Sequence, residues 1–148
     1  DFIVIDAAAK YGGYHADMTR TPVVGEATEK HHEVYSIVKE AQQRGCDTAK
    51  AGVACKVVDA STRDYIKEMG YGDYYTHGTG HGLGLEIHTS PRFSPESKAI
   101  LETNNVMTIE PGIYIAGWGG VRIEDDVIIH EDHCEILNKT TKDLVVLK

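Results

Sequence analysis

An α+β domain, with helices covering a curved antiparallel sheet, is what this sequence predicts. Two stretches, one at the start and one past the middle, read as strand, glycine-containing turn, strand. Between them lie two segments with apolar residues at helical spacing. At 148 residues the chain is long enough for one domain with its own core.

The first element is a hairpin. Residues 1–7 are largely apolar and β-branched, Tyr11-Gly12-Gly13 supplies a turn, and residues 14–24 are strand-like again. A two-residue turn at Tyr11-Gly12 pairs Lys10 with Gly13 and sets Asp6 directly opposite Asp17. Opposed side chains in an antiparallel pair lie roughly 5 Å apart, where like charges repel, so a positive group is needed between them.

The first helix starts at Thr28, a good N-cap, and carries Val34, Ile37, Val38 and Ala41 on one side as far as Gly45. The second runs from about Ala54 to Met69, with Val57, Val58, Ser61, Tyr65 and Met69 forming its inner side. Gly70 stands where a left-handed C-terminal cap belongs. His31 and His32, in the first turns of the first helix, read as exposed and without function. So do His130 and His133 in the polar turn His130-Glu131-Asp132-His133.

Next comes Thr76-His77-Gly78-Thr79-Gly80-His81-Gly82-Leu83-Gly84-Leu85-Glu86-Ile87-His88. Its glycines let backbone crowd a site. The run lacks both the dinucleotide-binding spacing and a phosphate loop's Gly-Lys-Ser/Thr. His81 is the candidate nitrogen ligand. The second hairpin follows, with residues 105–115 and 120–129 as its arms. A three-residue loop, Ala116 to Trp118, pairs Ile115 with Gly119 and Glu110 with Glu124. Pro111 removes a ladder donor, so the strand bends or ends there. Two hairpins that each bring two carboxylates together are hard to explain as solvated surface.

A net charge of −8 with no cluster of Lys or Arg argues against a nucleic-acid partner. No apolar run approaches the roughly 20 residues that span a bilayer, so no membrane partner is expected. Cys46, Cys55 and Cys134 lack metal-type spacing and read as reduced structural thiols of a cytoplasmic protein.

Asp6 to Thr21, His77 to His88, Thr108 to Tyr114 and Val121 to Asp125 together resemble, in order, the motifs of the pita-bread metallopeptidases. That family includes prolidase, the Xaa-Pro aminopeptidases, creatinase and methionine aminopeptidase. Thr19-Arg20-Thr21, Glu110-Pro111-Gly112-Ile113-Tyr114 and Val121-Arg122-Ile123-Glu124-Asp125 are similar to the Xaa-Pro dipeptidase and Xaa-Pro aminopeptidase branch. The resemblance implies the pita-bread fold, present as a partial domain. Residues 1–148 would be the C-terminal portion of the catalytic domain, with upstream strands, helices and an N-terminal domain absent. An exposed sheet edge and self-association into a homodimer would follow.

The resemblance further implies two divalent metal ions. Asp6 would bind one ion, His81 and Glu110 the other, and Asp17 and Glu124 would bridge. A hard, oxygen-rich donor set favours Mn²⁺, with Co²⁺, Fe²⁺ or Zn²⁺ as alternatives. A hydroxide bridging the ions would hydrolyse Xaa-Pro bonds in peptides or dipeptides. His88 and His77 would contact substrate, Glu110 would shuttle the proton, and Arg122 would orient a ligating carboxylate. His15 reads as a hydrogen-bonding residue, and Tyr14 and Trp118 as packing. Two alternatives stay open: a methionine aminopeptidase, and a pita-bread module kept for binding without catalysis.

Overall fold

A computed structural model describes residues 1–148. In chain order the strands and helices are β1 (Ile5–Tyr11), β2 (Tyr14–Arg20), β3 (Val23–Val24), α1 (Glu29–Thr48), α2 (Cys55–Glu68), β4 (Gly80–Gly82), β5 (Thr89–Phe93), β6 (Val106–Ile109), β7 (Gly112–Ile115), β8 (Gly119–Arg122), β9 (Asp125–Ile129), β10 (Cys134–Ile136) and β11 (Val146–Leu147). The central sheet is antiparallel, ordered β10-β9-β6-β4-β5, and β1-β2 and β7-β8 form separate hairpins. Only the short β11-β3 pair is parallel.

The first hairpin differs from expectation by a two-residue slip. Gly12 and Gly13 both have positive φ, +57° and +92°, so they are the turn, and Tyr11 pairs with Tyr14. A two-residue turn of this kind needs φ > 0 at both central positions, which glycine adopts freely and tyrosine does not. Asp6 therefore pairs with Thr19, and Asp17 with Ala8. Because side chains alternate with period two, the slip keeps Asp6 and Asp17 on one face as diagonal neighbours.

The second hairpin has the expected register, Ile115 opposite Gly119. The β6-β9 ladder ends at Ile109 opposite Asp125, and the β7-β8 ladder begins at Gly112 opposite Arg122. The two ladders are in step, so Glu110 and Glu124 face one another in the break between them. Pro111 interrupts the pairing there, as its missing N–H requires.

Thr28 caps α1, and the His31 side chain returns the bond to the Thr28 backbone. His31 is thus structural rather than idle: its ring also packs on Trp118, with centroids 5.3 Å apart. The helix continues past Gly45 to Thr48. A Cβ at Gly45 would lie 2.8 Å from Ile109 and 2.9 Å from Thr62, so this glycine lets α1 close onto both β6 and α2. In α2 the buried face is rotated from the expected one. Val57 and Met69 are exposed, whereas Cys55, Val58, Asp59, Thr62 and Ile66 are buried.

The helices cover the sheet face that carries Met107, Ile109 and Val127, which pack with Cys46, Cys55 and Val58. A second apolar cluster joins Val34, Ile37, Val38 and Ala41 of α1 to Ile113, Val121 and Ile123 of the second hairpin. Period-two alternation sends Thr108, Glu110 and Glu124 to the opposite face. Every residue of β1 is exposed, and Ile3, Val4, Ile5, Val146 and Leu147 form an uncovered apolar margin. All three cysteines are free. No helix is long and apolar enough to cross a membrane.

Candidate metal centre

Four separate pieces of backbone deliver the acidic cluster. β1 and β2 carry Asp6 and Asp17, β4 carries His81, and the break between ladders carries Glu110 and Glu124. Three overlapping groups of donor atoms result, each with its atoms within 4.8 Å of one another: Asp6, Asp17 and Glu124; His81, Glu110 and Glu124; Asp17, His81 and His88. Asp17, Glu124 and His81 each belong to two groups, and of the three only the carboxylates of Asp17 and Glu124 carry the two oxygens a bridging ligand needs.

Without a cation this cluster is costly. Burial, followed by the charges of Asp6 and Glu110, raises the Asp17 pKa. Burial and then Glu110 push Glu124 up to about 8. Oδ1 of Asp17 is buried with no hydrogen-bond partner, and so is Oδ1 of Asp126. Buried carboxylate oxygens are normally satisfied. An orphaned oxygen inside a repelling carboxylate cluster fits a divalent ion as its missing partner, and the donor chemistry agrees. His81 is also prepared. Its Nδ1 lies 3.0 Å from the Gly82 carbonyl and donates to it, which leaves Nε2, 3.3 Å from Glu110 Oε1, to take either a proton shared with that carboxylate or a metal ion. Burial works to lower the His81 pKa, but Glu110 and the Gly82 carbonyl outweigh it and the net shift is upward.

Residues 1–131 match metallopeptidase family M24. The chain belongs to that family. It is 51% identical over 145 residues to the Xaa-Pro dipeptidase of Pyrococcus furiosus, an alignment covering 98% of this chain and 42% of the relative. The Xaa-Pro dipeptidase from Bacillus anthracis superposes with a TM-score of 0.97 at 51% identity, over 99% of this chain and 41% of that one. The X-Pro aminopeptidase from Thermotoga maritima gives a TM-score of 0.96 at 46% identity, over 99% and 42% of the two chains. The chain thus spans less than half the length of the relatives it matches.

Around the carboxylates this M24 chain builds a supporting layer. Arg122 donates to Asp6 Oδ2 and, through Nε, to Thr19 Oγ1 at 3.0 Å; Thr19 in turn donates to Glu124 Oε2 at 2.5 Å. Arg122 shares a face with Glu124, yet the ligating carboxylate it bonds directly is Asp6 across the site, and Glu124 is reached only through Thr19. Thr108 donates to Glu110 Oε1 at 3.1 Å and accepts the His81 amide at 3.0 Å. Asp126 Oδ2 accepts the Asp17 amide at 2.9 Å.

His77 donates from Nδ1 to the Gly78 carbonyl, 2.7 Å away, so its Nε2 accepts from the Tyr114 hydroxyl at 3.0 Å. That hydroxyl also accepts from Arg122 Nη1 at 3.2 Å. His88 is exposed, with its ring centroid 4.4 Å from that of His81. A cavity of about 300 Å³ is lined by His77, His81, His88, Arg92, Glu110 and Arg122 among others. His15 bonds the Gly84 carbonyl, and Trp118 packs. Thr19, Thr108, Tyr114 and Asp126 escaped the sequence reading. For Thr19 and Thr108 a signal was present, since alternation places each on the face of the acid two residues away.

Proposed function

We propose that this chain supplies a two-metal site for an exopeptidase that hydrolyses Xaa-Pro bonds, as a dipeptidase or an aminopeptidase. The single observation that carries this reading is the convergence of Asp6, Asp17, His81, Glu110 and Glu124 into overlapping donor groups. The Xaa-Pro names borne by close relatives support the substrate class. In this reading Asp6 holds one ion, His81 and Glu110 hold the other, and Asp17 and Glu124 bridge. Mn²⁺ suits the donors best, ahead of Co²⁺, Fe²⁺ and Zn²⁺. In this reading residues 1–148 are the C-terminal portion of the catalytic domain, and its upstream strands and helices and an N-terminal domain correspond to the remaining length of the relatives.

When bound, two divalent cations acidify water and neutralise the charge that develops on an attacked carbonyl oxygen. The chain's own groups do the rest. Glu110 Oε2, free of the Thr108 bond, receives the proton of the attacking water and returns it to the leaving amine. Arg122, held between Asp6, Thr19 and Tyr114, keeps the Asp6 carboxylate aimed into the site. Tyr114 fixes the His77 ring at the wall of the cavity, and His88 stands on its exposed side; both face a peptide bound there.

The test is peptide hydrolysis by the full-length protein. Cleavage of Ala-Pro and Gly-Pro substrates in Mn²⁺, abolished in an Asp17→Asn variant, is expected. Cleavage of Met-Ala peptides with no action on Xaa-Pro substrates would overturn the reading in favour of a methionine aminopeptidase.

A further inference from the structure

The polar face of α2 has no part in the site described so far, yet it grips the segment that carries His77 and His81. Asp59 and Arg63 stand one helical turn apart and form a bidentate pair, Nε to Oδ2 at 2.7 Å and Nη2 to Oδ1 at 2.8 Å. Asp59 is 1% exposed. Its Oδ1 also accepts the amide of Thr79 at 3.1 Å and the hydroxyl of Thr79 at 2.9 Å. Arg63 spends its remaining donors on backbone, reaching the Tyr75 carbonyl at 3.2 Å and the His77 carbonyl at 2.7 Å. Its guanidinium lies over the Tyr75 ring, 4.3 Å from the centroid. The Tyr75 and Thr62 hydroxyls each sit 2.7 Å from Thr79 Oγ1.

Thr79 is the point of transfer. Its carbonyl accepts the amide of Glu110 at 2.7 Å, and it lies two residues from His77 on one side and from His81 on the other. Residues 75–79 belong to no helix or strand; Thr79 alone among them makes backbone bonds on either side, its amide to the Phe93 carbonyl at 2.8 Å and its carbonyl to the Glu110 amide, so the rest of the segment depends on side-chain partners. A buried ion pair adds little net stability, because desolvation offsets the attraction. What it adds here is geometry: one carboxylate and one guanidinium set the height of a loop that places three site residues.

We propose that Asp59 and Arg63 are positioning residues for the metal site, setting His81 and Glu110 through Thr79, and His77 directly. This rests on the two-metal reading above. Partners of this outer kind typically change metal affinity by roughly 10–100-fold when removed.

Calorimetric Mn²⁺ titration of the whole chain tests it, comparing wild type with Asp59→Asn, Arg63→Lys and, as a control, Glu40→Gln. Glu40 pairs with Arg44 one turn along α1, in an exposed ion pair remote from Thr79. Asp59→Asn and Arg63→Lys are each expected to weaken the ion held by His81 and Glu110 by at least tenfold, and to leave the other within twofold. Glu40→Gln should change neither. In a His81→Ala background, Asp59→Asn should cost clearly less than it does in wild type, because one of its two routes to that ion, the one through His81, is already cut. A merely structural role predicts the same loss in both backgrounds, and that result would overturn the proposal. So would wild-type affinity in both variants. If Asp59→Asn fails to fold, Arg63→Lys and its cycle with His81→Ala decide alone. Absence of any ion in wild type would instead sink the two-metal reading.

Discussion

Replacing Gly80 by alanine puts a methyl where β4 and β6 leave none. The new Cβ would sit 1.9 Å from the Thr108 carbonyl oxygen, 2.7 Å from its carbon and 3.0 Å from Oγ1. Carbon–oxygen contacts close at roughly 3.3 Å, so the strands must part locally by more than 1 Å. That movement breaks the bond from the His81 amide to Thr108 Oγ1 and strains the one from the Glu110 amide to the Thr79 carbonyl. A buried donor left unpaired costs about 1–3 kcal/mol, and overpacking a further 1–3 kcal/mol. Gly80→Ala should therefore destabilise the chain by about 4 kcal/mol, much of a typical domain's stability. Gly84→Ala is the matched control, since its Cβ meets nothing within 4 Å. Urea unfolding of the two variants, with metal removed by chelator, reads the difference. A Gly80→Ala midpoint equal to that of Gly84→Ala would refute the reasoning.

The metal-free chain should also lose stability as pH rises. Glu124 has a folded pKa of about 8 against an ordinary 4.5, so the folded state holds its proton more tightly than the unfolded state does. Its stabilisation is complete below about pH 4.5 and is lost as pH climbs through 8; Asp126, raised to about 6 chiefly by burial, acts in the same direction. Urea midpoints that increase from pH 5 to pH 8 in chelator would contradict this. Asp125 lies fully buried against Arg20, Gln42 and Lys142. Asp125→Asn strands the charges of Arg20 and Lys142 and should cost about 3–5 kcal/mol, read by the same unfolding assay. Tyr114→Phe removes only the hydroxyl between His77 and Arg122. It should leave the melting temperature within a few degrees of wild type while shifting the His77 imidazole nitrogen resonances; unchanged resonances would show that the bond is not formed. The uncovered margin at Ile3, Val4 and Ile5 predicts dimers in sedimentation that Ile3→Ser with Ile5→Ser returns to monomer; a wild-type monomer at high concentration would count against it.

The hairpins, the start of α1, the end of α2 and the face shared by the acids were legible because each follows from a local rule. Thr28 offers a cap, Gly70 and Gly117 adopt positive φ, and Pro111 ends a ladder. The first hairpin's register was misjudged because Tyr11-Gly12 and Gly12-Gly13 compete, and only positive φ at both centres separates them. The inner face of α2 could not be found from apolar spacing. Asp59 and Thr62 are buried because they hydrogen-bond a distant loop, which a hydropathy pattern does not record. Gly45 looked like a helix end, whereas it marks where two elements touch α1. The acids could be named from the sequence. Of their supports, Tyr114 and Asp126 needed contacts between elements distant in the chain.

In the reading proposed above, Asp6, Asp17, His81, Glu110 and Glu124 close around two cations within this chain. Calorimetric titration with Mn²⁺ and Co²⁺, run beside Asp17→Asn, decides it. Two ions bound by wild type and clearly fewer by the variant are predicted, since Asp17 is shared between donor groups. No binding by wild type, or equal binding by both, would contradict the claim.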